Sequence, residues 1–434
     1  MYLILLLPLI GHIIFITFGL IFVNKRELKI KDDPKYNINT YIENGTLKPF
    51  KLKKPSFNSV ENFEHGKEMP ANVHLFHEGY WFYEDVIDKL RKATKSILIV
   101  SYIIKNGEVT REILNIIKQK AKEGLQIMWL IDDFGLMPNQ RRVINKLKKY
   151  GVKIRIVGKI YYPFINGASF YNRNHQKFII IDSTYVYSGG NNISDEYASL
   201  SKKYGHWIDL NYFVSGPHVN VYILHFIKLW NIIAHTDVDP MEFLNLEFNN
   251  KETYNEQALL VNDSPSLNYS TIEQHLIKLI SNAKESILLS TPYFAVSKTF
   301  ETTLILALKS GVKVTVYIPG LPDKKLVYKV TVNELRKLMD YGLEVMVYEG
   351  HFLHTKAGLI DGRIGWIGSN NLDARSFYSQ YESMDLVSGS VIKDLQNIFT
   401  DYHNKCTNLR NIPELNKKHN WLGKFLIDCT KPLI

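Results

Sequence analysis

The sequence predicts an α/β protein made of two duplicated halves that share one site, preceded by a transmembrane helix. Three features lead to this prediction: helical and strand-like segments alternate along the 434 residues, one unusual motif occurs twice, and the amino terminus is a long apolar run. With 45% hydrophobic and 22% charged residues, the composition is typical of a globular protein and excludes disordered and collagen-like classes.

The amino-terminal run, residues 2–23, carries no formal charge apart from a protonated form of His12. At about 1.5 Å per residue, a helix of this length crosses a hydrocarbon layer of about 30 Å. A cleaved secretory signal would need basic residues before the run, a shorter run and a small-residue cleavage site, and none is present. We therefore expect residues 1–24 to be a retained single-pass anchor in the cell membrane. Four basic residues after the run place the catalytic domains in the cytoplasm: Lys25, Arg26, Lys29 and Lys31.

The rest of the chain divides into a linker and two domains. Residues 25–70 are polar and contain several prolines, a pattern that predicts little regular structure. A first domain is expected over 71–248 and a second over 249–434, the latter ending in an amphipathic segment. In that segment, one helical face carries Trp421, Leu422, Phe425, Leu426 and Cys429. It is suited equally to a membrane interface and to packing on its own domain.

Within each domain, segments of helical spacing alternate with apolar runs typical of buried strands. The first domain is predicted to have helices over 80–95, 110–124 and 143–151, and strands over 96–104, 125–133 and 152–158. The second is predicted to have helices over 275–286, 300–311 and 333–342, and strands over 287–294, 312–320 and 343–350. This alternation indicates sheets with helices on both faces.

The repeated motif reads HQKFIIIDSTYVYSGGNN at 175–192 and HTKAGLIDGRIGWIGSNN at 354–371. In each copy the His is followed after two positions by Lys, after seven by Asp, after fourteen by Gly and after seventeen by Asn. Strand alternation places the His and Lys of each copy on one face. A duplication could preserve fold residues alone, but a buried Lys is costly unless it is paired, which favours a ligand site. The repeated residues are His175, Lys177, Asp182, Asn192, His354, Lys356, Asp361 and Asn371.

These residue types suit phosphate chemistry. A neutral imidazole is a competent nucleophile toward phosphorus, and a second imidazole can protonate the departing alkoxide. Ammonium groups of Lys177 and Lys356, with the amides of Asn192 and Asn371, can hold the non-bridging oxygens in the transition state. The sequence has no His, Cys, Asp or Glu cluster with zinc or calcium spacing, so no metal or other cofactor is expected.

Over nearly its whole length the chain resembles the phospholipase D superfamily, and within it the bacterial cardiolipin synthases. The resemblance rests on the paired motif and on the flanking segments HWIDL (206–210), STPYF (290–294), EGHFLHTK (349–356) and GSNNLDARSF (368–377). It implies two phospholipase D-like α/β/α domains with mixed sheets and one active site at their interface. It also implies transfer of a phosphodiester through a covalent phosphohistidine without metal, with His175 the nucleophile and His354 the general acid and then base.

The sequence departs from the synthase pattern in two places. Gln176 stands between the first motif's His and Lys, where synthases often carry Arg. One amino-terminal span is present where two are typical. The first departure bears on whether a third cation lies near the phosphate, and the second concerns the membrane topology and not the chemistry.

The acidic residues fall into two groups. Asp182 and Asp361 belong to the catalytic motif, but they lie five positions after the Lys, on the opposite strand face, and we expect them to pair with polar groups at the strand end. Asp209 and Glu382 are better candidates for orienting the imidazoles, because a carboxylate behind each ring would fix its tautomer. Ordinary surface acids are the alternative for both.

The substrates expected from the resemblance and the anchor are phosphatidylglycerol and other anionic phospholipids at a membrane. A net charge of +10 agrees with anionic partners, whereas no run of basic residues indicates a nucleic-acid tail. The leading hypothesis is phosphatidyl transfer between two phosphatidylglycerol molecules, which gives cardiolipin and glycerol. The alternatives are a membrane-anchored hydrolase or nuclease with the same histidines, and a non-enzymatic scaffold that binds anionic lipid.

Two cysteines, Cys406 and Cys429, are too few for a disulfide framework and indicate a reducing compartment.

Overall fold

The computed structural model describes residues 8–14, 23–50, 52, 56–57, 59–60, 63, 66–160, 172–200, 206–248, 254–416, 421–431 and 434. Most of the expected anchor lies outside these ranges, and its described part is helix α1, Pro8–Ile14. Within the described ranges, no helix has the length and apolar character needed to cross a membrane.

The segment predicted to be an irregular linker instead contains short helices: α2, Lys25–Ile30, and α3, Ile38–Glu43, separated by a 3₁₀ turn, Pro34–Tyr36. Asparagine caps explain this difference, because the side chains of Asn24 and Asn37 accept hydrogen bonds from the first backbone amides of α2 and α3. The proline at the first position of the 3₁₀ turn favours that turn and does not break it. Part of the predicted linker is therefore ordered.

The first half alternates strands and helices as predicted, with boundaries shifted by a few residues. Its strands are β1 Met69–Phe76, β2 Ser96–Ser101, β3 Gln126–Asp132, β4 Lys153–Val157, β5 Arg173–Asn174, β6 Phe178–Ile181, β7 Tyr185–Gly189, β8 Trp207–Ile208 and β9 Asn211–Ser215. Its helices are α4 Gly79–Lys92, α5 Glu108–Lys122, α6 Pro138–Leu147 and α7 Val219–Ala234, with 3₁₀ turns at Lys148–Tyr150 and Pro240–Glu242.

The second half repeats the pattern. Its strands are β10 Glu256–Asp263, β11 Ser286–Ser290, β12 Phe294–Ala295, β13 Lys313–Pro319, β14 Glu344–Tyr348, β15 Phe352–Leu353, β16 Ala357–Ile360, β17 Ile364–Gly368, β18 Leu372–Asp373, β19 Gln380–Gly389 and β20 Thr407–Asn408. Its helices are α8 Thr271–Asn282, α9 Lys298–Lys309, α10 Lys325–Met339, α11 Ala374–Ser379, α12 Val391–Lys405 and α13 Trp421–Thr430. Two 3₁₀ turns, Leu409–Asn411 and Pro413–Asn416, follow β20.

Helix α10 begins eight residues before its predicted start at 333. Its first two turns contain Val327, Val330 and Val332, and β-branched side chains are poor helix formers that suggest a strand. Packing overrides this preference, because Val330 and Val332 are buried.

The strand order confirms the duplication. The first half runs β4-β3-β2-β6-β7-β9-β1 and the second runs β14-β13-β11-β16-β17-β19-β10, so each strand has a counterpart. Each sheet is mixed, with parallel pairing among its first three strands and antiparallel pairing beyond them. Strands β1 and β10 pair antiparallel, with Met69 opposite Ala258, and join the halves in one 16-stranded sheet.

Alternating side chains on the sheet form a core on each face. In β2, Ile97 and Ile99 pack with α4 and α5, whereas Leu98 and Val100 belong to a core that contains α7. The same α7 core includes residues of β16 and α12 from the second half. The two halves therefore share buried apolar surface.

Two short parallel strand pairs cross between the halves and position the motif histidines. Strand β5 pairs with β19, with Asn174 opposite Tyr381, and β8 pairs with β15, with Ile208 opposite Leu353. Each histidine follows directly after one of these strands, next to the backbone of the other half.

Candidate active site

Each motif histidine is braced by a carboxylate of the opposite half. The backbone amide of His175 donates to the carbonyl of Tyr381 at 2.9 Å, and its Nδ1 lies 2.9 Å from Oε1 of Glu382. The backbone amide of His354 donates to the carbonyl of Ile208 at 2.7 Å, and its Nδ1 lies 2.6 Å from Oδ2 of Asp209. Because parallel pairing puts consecutive residues in step, the register of each crossing pair brings its carboxylate behind the ring.

The carboxylates define which nitrogen can react. A carboxylate accepts a hydrogen bond from Nδ1–H, so Nε2 of each neutral ring keeps its lone pair. Glu382 is fully buried and also accepts a hydrogen bond from Oγ of Ser369. Burial alone would raise the pKa of Glu382, but His175, Lys177 and Ser369 hold it below its usual value. The carboxylate therefore stays charged behind its ring.

Both imidazoles are neutral near pH 7 in the unliganded site. Burial lowers the pKa of His175 to about 4, and Lys177 adds to the decrease while Glu382 opposes it. Burial and the neighbouring Lys356 lower the pKa of His354 to about 3. Desolvation disfavours the charged ring in both cases, so each histidine starts as a base or nucleophile.

The motif lysines lie beside the histidines. Lys177 and Lys356 are 5% and 2% exposed, and Nζ of each donates to the carbonyl oxygen of its own motif histidine. Nζ of Lys356 also lies 2.8 Å from Nδ1 of His354. Burial lowers the pKa of Lys177 to about 7 and that of Lys356 to about 8. An anion that enters the site would raise the pKa of both lysines and so favour their charged form.

The two motif asparagines line the same cavity as the histidines. Nδ2 of Asn192 donates to the hydroxyl of Tyr197 at 2.6 Å, and its Oδ1 accepts from the backbone amide of Ile103 at 3.2 Å. Oδ1 of Asn371 is buried without a hydrogen-bond partner among the described residues. Asn192 is thus held rigidly, whereas the amide of Asn371 has unused hydrogen-bonding capacity.

The cavity between the halves has a volume of about 500 Å³. Both motif histidines and both motif asparagines line it, so the structure brings these four predicted residues to one space. Aromatic and charged side chains from both halves complete the wall: Tyr102, Phe134, Tyr197, Trp207, Tyr293, Lys105, Glu196, Asp323, Lys324, Asp373 and Arg375. A phosphodiester with attached apolar groups fits this combination.

Aromatic rings hold the imidazoles, and the sequence did not identify them. Tyr102 lies edge-on to His175 with ring centroids 4.9 Å apart. Trp207 and Tyr197 flank His354 at 5.3 and 5.7 Å. The only signal of these rings in the sequence was the position of Trp207, which precedes Asp209 by two residues. These contacts fix ring orientation and contribute to desolvation.

A buried ion pair supports the first motif and was also missed. Nη1 of Arg173 lies 3.2 Å from Oδ1 of Asp132, and the backbone amide of Asn174 donates to the other oxygen at 2.7 Å. Arg173 and Asp132 are both fully buried. The pair connects the end of β3 to the strand before His175. A residue pair separated this far along the chain has no local sequence signal.

Asp182 and Asp361, which the motif groups with the catalytic residues, do not line the cavity and instead bind backbone amides. Strand β6 separates Asp182 from Lys177, and β16 separates Asp361 from Lys356. Both aspartates have left-handed backbone conformations and bind the amides at the start of β2 or β11. The donors to Asp182 are the backbone amides of Thr94, Lys95 and Ser96, and those to Asp361 are the backbone amides of Lys284, Glu285 and Ser286.

Two further residues within the first motif, Gln176 and Gly190, support neighbouring parts of the protein. A Cβ at Gly190 would lie 2.3 Å from the carboxylate of Asp209, so this glycine makes room for that side chain and not for a ligand. Gln176 is fully buried, and its Nε2 donates to the carbonyl of Glu382 at 3.0 Å and lies 2.9 Å from Nε2 of His225. Gln176 therefore supports the strand that carries Glu382.

Comparisons with known proteins agree with this architecture. The family model described as "Cardiolipin synthase, PLD-like domain" matches residues 86–225 and 276–403. The chain is 31% identical over 415 residues to a cardiolipin synthase of Clostridium perfringens (strain 13 / Type A), covering 92% of this chain and 86% of the relative. It is 30% identical over 414 residues to a cardiolipin synthase of Staphylococcus aureus (strain N315), covering 91% and 82%.

A solved structure shows the same fold. The phosphatidylserine synthase of Haemophilus influenzae Rd KW20 superposes with a TM-score of 0.63 at 15% sequence identity, covering 84% of this chain and 95% of that chain. At this identity the similarity concerns the fold alone.

The carboxylate braces give a first prediction. Replacing Glu382 by Gln, or Asp209 by Asn, is expected to lower kcat for phosphodiester transfer about 10²- to 10⁴-fold with little change in KM. An amide neither fixes the Nδ1–H tautomer nor stabilises an imidazolium as a carboxylate does. Steady-state kinetics of the two variants measure this. Asp237→Asn is the control, because the Asp237 side chain is 81% exposed; an unchanged kcat in both test variants would remove the carboxylates from the mechanism.

The motif aspartates give a second prediction. Asp361→Ala is expected to lower the free energy of unfolding by about 2 kcal/mol, because three charge-assisted hydrogen bonds are lost. Backbone amides oppose the effect of burial and keep the pKa of Asp361 below its usual value, so this stability is present above pH 4 and is lost as pH falls below it. Denaturant unfolding of the wild type and variant checks both statements.

Asp361→Ala both removes the hydrogen-bond acceptor and places Ala in a left-handed backbone conformation. The Asp361→Asn variant separates these two causes of instability, since Asn tolerates that conformation and keeps one acceptor. We expect it to be intermediate in stability. Activity per folded molecule should equal that of the wild type in both variants. A large loss of kcat without loss of stability would return Asp361 to the catalytic set.

Proposed function

Because this chain belongs to the cardiolipin synthase family of PLD-like proteins, we propose that it transfers a phosphatidyl group between two phosphatidylglycerol molecules, giving cardiolipin and glycerol. As a member of this family the chain is a phosphatidyltransferase. The observation that carries the finer proposal is the pair of carboxylate-braced imidazoles on one cavity. The choice of lipid rests on the names of the relatives.

In the first step Nε2 of His175 attacks the phosphorus of the donor lipid. The bond between phosphorus and the oxygen of the glycerol headgroup breaks, and His354 gives its proton to that oxygen. Glycerol leaves, and a phosphatidyl group remains covalently bound to His175. The two sites are nearly symmetric. The assignment of His175 as the nucleophile therefore rests on analogy with the superfamily.

In the second step the terminal hydroxyl of another phosphatidylglycerol attacks the phosphorus. Neutral His354 takes the hydroxyl proton, the phosphorus–nitrogen bond breaks and cardiolipin leaves. His175 is neutral again and His354 is protonated for the next cycle. One ring thus serves as acid and then base, as expected when a reaction passes through a covalent intermediate.

The negative charge of the substrate allows His354 to carry the proton that the first step needs. His354 is neutral in the unliganded site, but an anionic phosphodiester within contact distance favours protonated imidazole and charged lysine. The ammonium groups of Lys177 and Lys356, with the amides of Asn192 and Asn371, then hold the non-bridging oxygens. No step needs a group other than these side chains and the two lipids.

The membrane setting remains part of the proposal. We infer that residues 1–24 anchor the chain in the cell membrane and that domains over 71–248 and 249–434 lie on the cytoplasmic side. Transfer to a lipid and not to water requires that water be kept from the phosphatidyl-histidine. Hydrolysis by the same histidines, which gives phosphatidic acid, is the alternative outcome.

Thin-layer analysis of the lipids formed from phosphatidylglycerol vesicles tests the proposal. The wild type should form cardiolipin and glycerol in equal amounts, whereas His175→Ala and His354→Ala should each lose about 10³-fold or more of the activity. Phosphatidic acid as the sole product would establish hydrolysis, and near-normal activity of either variant would exclude the two-histidine mechanism.

Covalent trapping distinguishes the two histidines. With radiolabelled phosphatidylglycerol and a long incubation, because loss of His354 slows both formation and breakdown of the intermediate, His354→Ala should retain label on the protein that is lost in acid and stable in base, as is usual for a phosphohistidine. His175→Ala should retain none. The reverse pattern would exchange the assigned roles.

The pH dependence supplies a further prediction. Burial lowers the pKa of Lys177 to about 7 and of Lys356 to about 8, so both are charged below these values and lose charge as pH rises through them. We expect kcat/KM, which reports the free enzyme, to fall between about pH 7 and 9. The fall in kcat should occur at higher pH, because the bound phosphate favours the charged lysines. A kcat/KM that stays constant to pH 10 would show that neither lysine binds phosphate as a cation.

A further inference from the structure

Equivalent loops of the two halves form the rim of the cavity. The loop after β3 contributes Phe134 to the cavity wall, and the loop after β13 contributes Lys324. The same loops and the helix turns that follow them carry exposed apolar side chains: Met137 is 59% exposed, Leu321 39% and Leu326 47%. Scattered exposed apolar residues are ordinary, but here they occur at matching positions around one opening.

Helix α13 extends this apolar rim. Ile427 belongs to the same buried cluster as Val330, and Nζ of Lys431 lies 2.6 Å from Oε2 of Glu334. The shared cluster and the ion pair occur in the same order along both helices, which indicates that α13 runs parallel to α10 and that the start of α13 lies level with the start of α10. At that end Trp421 is 80% exposed and Phe425 58% exposed, four residues apart on one helical face.

Cations alternate with these apolar groups. Arg142 is exposed five residues after Met137, and Lys324 and Lys325 are exposed directly before Leu326. Apolar side chains among Lys and Arg are typical of protein surfaces that lie on anionic lipid. A protein partner would be expected to match a patch with fewer lysines, because Lys is depleted at protein–protein interfaces.

The amino-terminal segment reaches the body at the same end of the sheet. The amide of Asn24 donates to Oγ of Ser266 at 3.1 Å, and Ser266 lies in the loop after β10. That strand ends at Asp263, opposite Glu382, which braces the motif histidine. Glu27 accepts a hydrogen bond from the hydroxyl of Tyr381, the neighbour of Glu382. The segment that follows the proposed anchor therefore lies at the end of the sheet where the cavity lies.

We propose that the apolar rim, made of Met137, Leu321, Leu326, Trp421 and Phe425, docks on the surface of a bilayer that contains anionic phospholipid. This inference rests on the proposed function, since it supplies the orientation in which lipid headgroups reach the two histidines. The acyl chains stay in the bilayer while the headgroup phosphate enters the cavity. The docked rim also limits the access of water to the covalent intermediate.

The test compares one substrate in two physical states. Full-length Met137→Asp, Leu326→Asp and the double variant are assayed with phosphatidylglycerol in vesicles and with a short-chain phosphatidylglycerol below its critical micelle concentration. Neither residue lines the cavity, so activity on the monomeric substrate should stay within twofold of wild type. Activity on vesicles should fall about tenfold in the double variant, because burial of two apolar side chains is lost and two charges repel the anionic surface.

Leu306→Asp is the matched control. Leu306 is 59% exposed in the last turn of α9, the end of that helix that points away from the cavity. It adds the same charge as each single rim variant and should leave both activities unchanged. An equal loss on both substrates in the rim variants, or an equal loss on vesicles in the Leu306 control, overturns the docking surface.

The two proposals fail in distinguishable ways. If wild type forms no cardiolipin from either substrate, the proposed function is wrong. If wild type is active and the double variant keeps full activity on vesicles, the function stands and the rim does not dock. An environment-sensitive fluorophore on Met137→Cys, in a Cys406→Ser, Cys429→Ser background, adds a direct readout: its emission should shift to the blue with phosphatidylglycerol vesicles, and an unchanged spectrum contradicts docking.

Discussion

Two hydrogen bonds that cross between the halves organise the centre of this protein. His175 depends on Glu382 and His354 depends on Asp209, so neither half contains a complete braced imidazole. The short parallel pairs β5–β19 and β8–β15 carry the four residues into register. The halves must therefore be held rigidly together, because a small shift of one half relative to the other would separate both rings from their carboxylates. The joined sheet and the α7 core supply that rigidity.

Burial of so many ionisable groups is tolerable because their charges balance. Lys177 and Lys356 are opposed by Glu382 and Asp209, and both imidazoles are neutral, so each buried cation has a carboxylate near it. A phosphodiester brings one negative charge into this low-dielectric space. This charge favours the charged form of the lysines and protonation of one imidazole, which is the state that a general acid needs. The same cancellation that stabilises the unliganded protein thus prepares the acid when substrate binds.

The sequence predicted what is local or repeated. The paired motif, the alternation of elements and the duplication follow from spacing, and the confirmed mixed sheet follows from the family resemblance. What escaped prediction depends on contacts between distant segments: the Arg173–Asp132 pair, the rings around the histidines and the early start of α10. The linker prediction was wrong over α2 and α3 because proline content was given more weight than the asparagine caps. Strand alternation separated Asp182 and Asp361 from the histidines although the motif groups them together.

A site of this kind cannot choose its acceptor by chemistry alone. Neutral His354 would deprotonate water as readily as a lipid hydroxyl, and water is smaller and far more abundant. In the mechanism that we propose, preference for the lipid must therefore come from access: the covalent intermediate would have to face a place where lipid hydroxyls are concentrated and water is scarce. The aromatic wall provides one side of that enclosure, with Tyr102, Trp207 and Tyr293 around the reacting groups. The open side lies between the two rim loops, and a bilayer against it would both close the cavity and supply the acceptor. On this argument the position of the protein on the membrane is what separates a synthase from a hydrolase with the same histidines.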